Sequence, residues 1–213
     1  MINNFSILIS NTSRSISYLK ELKKENLKPN LLIYLNDESN NLSSKIIKKK
    51  RFFFPKSSLK IFISKKVNDK ISNFILKRRI KYLIYSGYPG EIIKNQNLLK
   101  KLKIIHCHPG KLPEFRGSTT IYYSFLKTKK IHCSSIVLNK DLDKGKILLT
   151  KRYPLPNTIN TIDRKYDDKI RAMHLIKTIK NLKNLRTIKQ NAKKIPYFTI
   201  HPVLRSICFN LKI

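Results

Sequence analysis

Apolar residues recur along this chain in short runs separated by polar stretches. Phe5 to Ser10 is one such run and predicts a strand. Beyond the Ser/Thr/Asn cluster Asn11 to Ser15, the positions Ile16, Leu19, Leu22 and Leu27 recur at helical spacing, and Leu31 to Leu35 predicts a second strand. Strand, helix and strand in so short a stretch make a βαβ unit, whose strands run parallel through a right-handed crossover. Val67 to Arg79 has helical spacing through Ile71, Phe74 and Ile75. Tyr82 to Tyr85 predicts a buried strand, Leu98 to Leu102 a helix, Ile104 to Cys107 a strand, Ile121 to Leu126 a helix and Ser134 to Leu138 an alternating strand. Residues 38 to 68 are polar and rich in Ser and Lys. No element is assigned to them, although Phe52 to Phe54 and Ile61 to Ile63 offer local packing. After Tyr153-Pro154-Leu155-Pro156, Ile162 to Leu185 reads as a helix with Ile170, Met173, Ile176 and Ile179 near one face, and Phe198 to Phe209 closes the chain. The alternation of strands and helices predicts an open α/β sheet. No GxGxxG follows the first strand, so a dinucleotide is not indicated.

Composition adds bounds. At 213 residues and 41% hydrophobic, the chain is long enough for one core and apolar enough to bury it. No apolar run reaches the roughly 18 residues that a membrane span needs, and Met1 to Ser10 lacks the basic and apolar regions of a signal peptide, so the expected setting is cytoplasmic, away from membranes. Cys107, Cys133 and Cys208 lack CxxC spacing, which argues against a disulfide framework and a Cys-rich zinc module. The formal charge of +34 taken alone suggests nucleic acid. Yet Lys outnumbers Arg 36 to 10, Ile appears 31 times and Ala twice, a composition expected of AT-rich codons, and the basic residues are spread along the whole chain.

Candidate chemistry is concentrated. All five glycines, Gly87, Gly90, Gly110, Gly117 and Gly145, lie between residues 87 and 145, where a backbone that turns sharply or approaches a ligand is one explanation and plain turns the other. His106 and His108 stand at i and i+2 where an apolar strand ends in Pro109-Gly110, so both point to one side while the strand lasts. Imidazole changes charge near neutral pH and suits general acid/base work. Zinc held by two histidines and a carboxylate is the competing reading, without a metal-specific spacing to support it. Asp141 and Asp143 lie in the loop Asp141-Leu142-Asp143-Lys144-Gly145 of a chain that has only 12 acids. A carboxylate near an imidazole orients it and favours its charged form; a solvated turn is the plainer reading. Between these segments, Arg116, Gly117, Ser118 and Thr119 precede a helix whose N-cap Ser118 or Thr119 would supply, and together they make an anion site or a capped turn.

His108-Pro109-Gly110-Lys111-Leu112-Pro113-Glu114-Phe115-Arg116-Gly117, followed by Asp141-Leu142-Asp143-Lys144-Gly145-Lys146-Ile147-Leu148, resembles the formyltransferase domain shared by glycinamide ribonucleotide, methionyl-tRNA and sugar-nucleotide formyltransferases. With the Tyr82 to Tyr85 strand and its Gly87-Tyr88 loop, the resemblance covers roughly residues 80 to 150, and the first βαβ unit agrees more loosely. It implies a Rossmann-like α/β fold, an open, mostly parallel sheet with helices on both faces, in residues 1–150, with residues 151–213 as a carboxyl-terminal helix and closing segment on the same domain. It also implies formyl transfer from 10-formyltetrahydrofolate to a primary amine, with no metal.

Position by position, His108 matches the family's catalytic histidine and Asp143 its aspartate. Gly87, Tyr88, Lys140, Asp141, Leu142 and Lys144 match the segments that hold the pterin, while Gly110, Arg116, Gly117, Ser118 and Thr119, the turn and the anion-site candidates read above, are the residues expected to meet the substrate. His106 stands where the family has asparagine, and Gly110 where it has serine, which marks a divergent branch. An imidazole at 106 can still donate to a developing oxyanion, a contribution of about 2.7 to 4 kcal/mol where one such donor has been removed elsewhere.

The acceptor expected is a small amine, with or without phosphate, like glycinamide ribonucleotide or an amino-sugar nucleotide. The further carboxyl-terminal domain of methionyl-tRNA formyltransferases finds no space in 213 residues, which weighs against tRNA, although the charge keeps tRNA in play. The same residues are compatible with a formyltetrahydrofolate hydrolase, a catalytically altered paralogue, a zinc hydrolase or a nucleic-acid-binding protein.

Overall fold

The computed structural model describes residues 5–37 and 58–210. The Phe52 to Phe54 reading lies outside them. Seven strands form one sheet in the order β3-β2-β1-β4-β5-β6-β7. They are β1 (Phe5–Ser10), β2 (Leu32–Asn36), β3 (Leu59–Ile63), β4 (Tyr82–Ser86), β5 (Lys103–His108), β6 (Ile131–Val137) and β7 (Ile147–Tyr153). The helices are α1 (Ser13–Lys24), α2 (Asp69–Leu76), α3 (Gln96–Lys101), α4 (Thr120–Thr128), α5 (Asp167–Asn181) and α6 (Pro202–Asn210). The chain divides into two compact units, Met1–His106 and Cys107–Ile213, so residues 151–213 fall in one unit with residues 107–150.

In the first unit the register runs parallel from Ile7↔Leu32 to Ser10↔Leu35 and from Phe5↔Tyr82 to Ile9↔Ser86, with β3 added beside β2 and β5 beside β4. All six residues of β1 are buried. A parallel strand covered on both faces reads as a continuous apolar run, which is why β1, β2 and β4 stand out in the sequence. The helices begin where side chains satisfy their first amides: Thr12 caps α1 through Ser15 N–H at 3.2 Å, Asn68 caps α2 through Ile71 N–H at 3.0 Å, and Asn95 caps α3 through Leu98 N–H at 2.9 Å. The cap at Asn68 sets the start of α2 inside the longer Val67 to Arg79 segment that the apolar spacing marks.

In the second unit β6 and β7 are antiparallel from Ile131↔Tyr153 to Ile136↔Ile147, with an irregularity at Ser135/Ile136 just before the loop that carries Asp143. The segment read as one helix over 162–185 is a single π turn, Ile162–Tyr166, leading into α5, which ends at Asn181. Ile170, Leu175, Ile176 and Ile179 of α5 are buried. Arg171 is buried as well, its Nε donating to Cys107 O at 2.9 Å and its guanidinium pairing with Asp167 at 3.2 Å. Among the described residues no helix is long and apolar enough to cross a membrane.

Candidate active site

β5 delivers His108 at its last residue, 2% exposed, into the second unit. Its Nδ1 lies 3.4 Å from Asp143 Oδ2. Its Nε2 lies 2.7 Å from the carbonyl oxygen of Phe115 and 3.2 Å from Thr120 Oγ1. Thr120 Oγ1 donates its own proton to Pro109 O at 2.7 Å, so towards His108 it offers a lone pair. Among the described residues the partners of the imidazole are thus acceptors: a carboxylate on one nitrogen, a carbonyl and a hydroxyl lone pair on the other.

Asp143 reaches this position from a left-handed backbone, φ 53°, which aspartate tolerates better than most side chains. Its Oδ2 also accepts Gly117 N–H at 3.1 Å, and Gln190 Nε2 donates to its carbonyl at 3.0 Å. The turn around it separates Asp143, which is buried, from Lys140, Asp141, Leu142 and Lys144, which are exposed.

Gly110 follows in the strand-exit turn, its N–H bonded to His108 O at 3.0 Å. A Cβ there would stand 2.7 Å from Phe115 O and 3.1 Å from His108 Nε2. Glycine at this position is what lets the Phe115 carbonyl approach the imidazole. Ser134, buried on β6, closes the turn: its Oγ donates to Gly110 O at 2.7 Å and accepts Leu112 N–H at 3.2 Å.

Arg116 is 6% exposed and directs its guanidinium to backbone carbonyls, of Leu142 at 3.4 Å and of Lys194. The structure thus gives it the task of joining two loops. Thr119 occupies the N-cap position of α4, but with φ 46° its side chain makes no capping bond. The hydroxyl instead accepts Ile200 N–H at 2.9 Å, and Ser118 Oγ stands 3.4 Å from Thr199 Oγ1. The capping role read for Ser118 or Thr119 is replaced by cross-links to residues 199 and 200.

In the first unit, Gly87 and Tyr88 leave β4 through a polar cluster at the carboxyl ends of β1 and β4. Ser10 and Ser15 hydroxyls donate to Ser86 O at 3.0 and 3.1 Å, and Arg14 bonds Ser86 Oγ at 3.0 Å and the Gly87 carbonyl. Tyr88 OH accepts Asp37 N–H at 3.0 Å and donates to Leu35 O at 3.3 Å, anchoring the loop to the end of β2. Burial pushes the Tyr85 hydroxyl up to about 12, against the opposing pull of Arg14, so it stays protonated and donates to Glu91 O at 3.2 Å. His106 is partly buried, its Nδ1 3.4 Å from Tyr85 O. Sequence reading missed Ser10, Arg14 and Ser15, whose only signal was the polar run from the end of β1 into the first turn of α1. Among the described residues no group of three or more His, Cys, Asp or Glu is disposed to hold a metal ion.

Comparison with known proteins places these features in context. A family model described as formyl transferase matches residues 4–176. A methionyl-tRNA formyltransferase from Finegoldia magna is 31% identical over 102 residues, 46% of this chain and 33% of that protein. Another, from Caldicellulosiruptor saccharolyticus, is 28% identical over 136 residues, 62% of this chain and 43% of that protein. The chain therefore spans between a third and somewhat over two fifths of the length of these curated relatives. Among solved structures, a 4-N formyltransferase from Francisella tularensis is similar with a TM-score of 0.66 at 16% identity, covering 98% of this chain and 87% of that one. A phosphoribosylglycinamide formyltransferase from Bacillus halodurans gives 0.62 at 15%, covering 84% and 95%. At these identities the likeness establishes the fold.

Proposed function

This chain belongs to the formyl transferase family, and on that premise we propose that it transfers a formyl group from 10-formyltetrahydrofolate to the primary amine of a small substrate, with or without phosphate. A glycinamide ribonucleotide or an amino-sugar nucleotide fits this class, in a cytoplasmic setting. The observation that carries the reading is the buried pair of His108 and Asp143, 3.4 Å apart and at the positions that match the family's catalytic residues.

The folate supplies the activated formyl carbon; the rest is asked of the chain's own side chains. His108 holds a proton at Nε2, directed at Phe115 O and Thr120 Oγ1, and delivers or recovers it as the amine attacks. Asp143 orients the ring through Nδ1 and would stabilise an imidazolium as it forms during the reaction. His106 serves as hydrogen-bond donor to the developing oxyanion in place of the family's asparagine. Gly87 and Tyr88, with Lys140, Asp141, Leu142 and Lys144, are the residues assigned to the pterin, and Gly110, Gly117, Ser118 and Thr119 are assigned to the amine. Arg116 is assigned to the substrate with them, and through its bonds to two carbonyls it also holds these loops.

Calorimetric titration with a stable 10-formyltetrahydrofolate analogue, at moderate salt, tests the reading in the wild type and in Asp143→Ala. Saturable binding that the substitution weakens is expected. Binding in neither protein overturns the donor assignment, and formate release without any amine present would make the protein a hydrolase.

A second reading, methionyl-tRNA as the acceptor, draws support from the two curated relatives and the charge of +34. It requires binding of charged tRNA whose log affinity falls steeply with log salt, and formyl transfer to that tRNA but not to free amines.

A further inference from the structure

Residues 194–200 lie beyond the family-matched span of 4–176, yet they touch the segment that surrounds His108. Tyr197 pairs with that segment as a strand would. Its N–H donates to Arg116 O at 2.7 Å and its carbonyl accepts Ser118 N–H at 2.8 Å, a parallel bridge centred on Gly117. Extended backbone alternates its polar groups from side to side. With the groups of 116 and 118 directed at Tyr197, the N–H of Gly117 is turned the other way, where it meets Asp143 Oδ2 at 3.1 Å. The approach is so close that a Cβ on Gly117 would stand 2.2 Å from Tyr197 O.

The ring adds a second hold. It stacks on Phe115, with centroids 5.9 Å apart and planes 16° apart, and on Tyr123, at 4.4 Å and 27°. Phe115 is the residue whose carbonyl accepts from His108 Nε2 at 2.7 Å. Both strong acceptors of the imidazole, the Phe115 carbonyl and the Asp143 carboxylate, are therefore set by one loop that residue 197 fixes through backbone and ring. Arg116, reaching the Lys194 carbonyl, ties the same two segments together.

We propose that Tyr197 is a positioning residue for His108, acting through Phe115 and Gly117. Its consequence for catalysis rests on the function proposed above, whereas its effect on the imidazole does not. Removing the ring frees Phe115, lets its carbonyl leave Nε2 and loosens the Gly117 amide that orients Asp143. The hydroxyl of Tyr197 has no part in this chain of contacts, so phenylalanine suffices at 197.

The experiment is long-range 1H–15N correlation of the histidine rings in the full chain, at one pH and without ligand, with His108→Gln used to assign the His108 signals. Tyr197→Ala is expected to shift both His108 nitrogens, and Tyr197→Phe to keep them at their wild-type positions. Phe209→Ala, which removes the ring contact with Tyr122 on α4, is expected to lower the melting temperature without moving them. If Tyr197→Ala does not fold, Tyr197→Leu is read in the same way. Wild-type His108 signals in the folded Ala or Leu variant overturn the proposal, as does a Tyr197→Phe variant that shifts like Ala.

A kinetic arm follows 10-formyltetrahydrofolate consumption with amine present. It should fall on the order of 10²-fold in Tyr197→Ala, as misplaced catalytic groups do, and recover in Tyr197→Phe. Shifted resonances in Tyr197→Ala, beside a wild type that does not consume the folate, would leave the positioning role standing and count against the functional reading alone.

Discussion

His108 and Asp143 share one oxygen with a third group: the same Oδ2 that lies 3.4 Å from the imidazole Nδ1 also accepts the Gly117 amide at 3.1 Å. The carboxylate is thereby fixed from two sides, and the ring beside it has one orientation. Asp143→Asn preserves the size of the side chain and can preserve an oxygen towards Gly117, but it withdraws the negative charge from Nδ1. Formyl transfer is expected to fall between roughly 10² and 10⁴-fold with the melting temperature little changed, measured as 10-formyltetrahydrofolate consumption beside a thermal melt.

His174 should make the fold acid-sensitive. It is fully buried on α5, Tyr153 OH lies 3.1 Å from its Nδ1, and burial, aided by Lys177 and Lys151, lowers its pKa from 6.5 to about 4. The folded state then binds fewer protons than the unfolded state between those values, so stability rises with pH across that window. The contribution is complete above pH 6.5 and is lost as pH falls to about 4, at most about 3 kcal/mol. Urea midpoints at several pH values should show this slope in the wild type and a flatter one in His174→Asn.

Gly117 and Gly90 both have positive φ, 109° and 80°, but only Gly117 is crowded. Gly90→Ala should destabilise by about 1 kcal/mol through backbone strain alone. Gly117→Ala adds the collision with the Tyr197 carbonyl and should exceed it by about 2 kcal/mol. Chemical denaturation of the two variants decides; equal losses would mean that the 116–118 and 197 segments are not held together in solution.

Ser134→Ala leaves the Leu112 amide and the Gly110 carbonyl without their buried partner. A loss of about 2 kcal/mol is expected in urea unfolding, whereas Ser118→Ala, at an exposed hydroxyl, should stay within about 0.5 kcal/mol.

The strands β1, β2, β4 and β5 were legible because burial on both faces writes an apolar run. The strand β3 was not: Leu59-Lys60-Ile61-Phe62-Ile63 carries lysine within it and lies partly exposed, with Ile63 68% accessible. The strand β7 includes Thr150, Lys151 and Arg152, which hid it likewise. At the site, His108 and Asp143 could be named from their motif, and the structure brings them together. What surrounds them could not be named, since the Phe115 carbonyl and the Gly117 amide are backbone groups that every residue has. Arg116 shows the converse. Its charge suggested an anion, while its geometry is that of a donor to two carbonyls. Ser118 and Thr119 looked like caps because hydroxyls before a helix usually are, and the left-handed backbone at Thr119 takes that role away.

The bridge between Gly117 and Tyr197 also has a timing. Its two halves are distant in sequence, and contacts of that kind close late because chain entropy must be given up first. During synthesis, which proceeds from the amino end, β1 to β5 can assemble while residue 197 has yet to be added. His108 emerges long before residue 197, which holds the loop beside it. A nascent chain halted anywhere short of Tyr197 would carry most of the sheet but an imidazole without its settled neighbours, so competence waits on a segment that the ribosome makes well after the histidine itself.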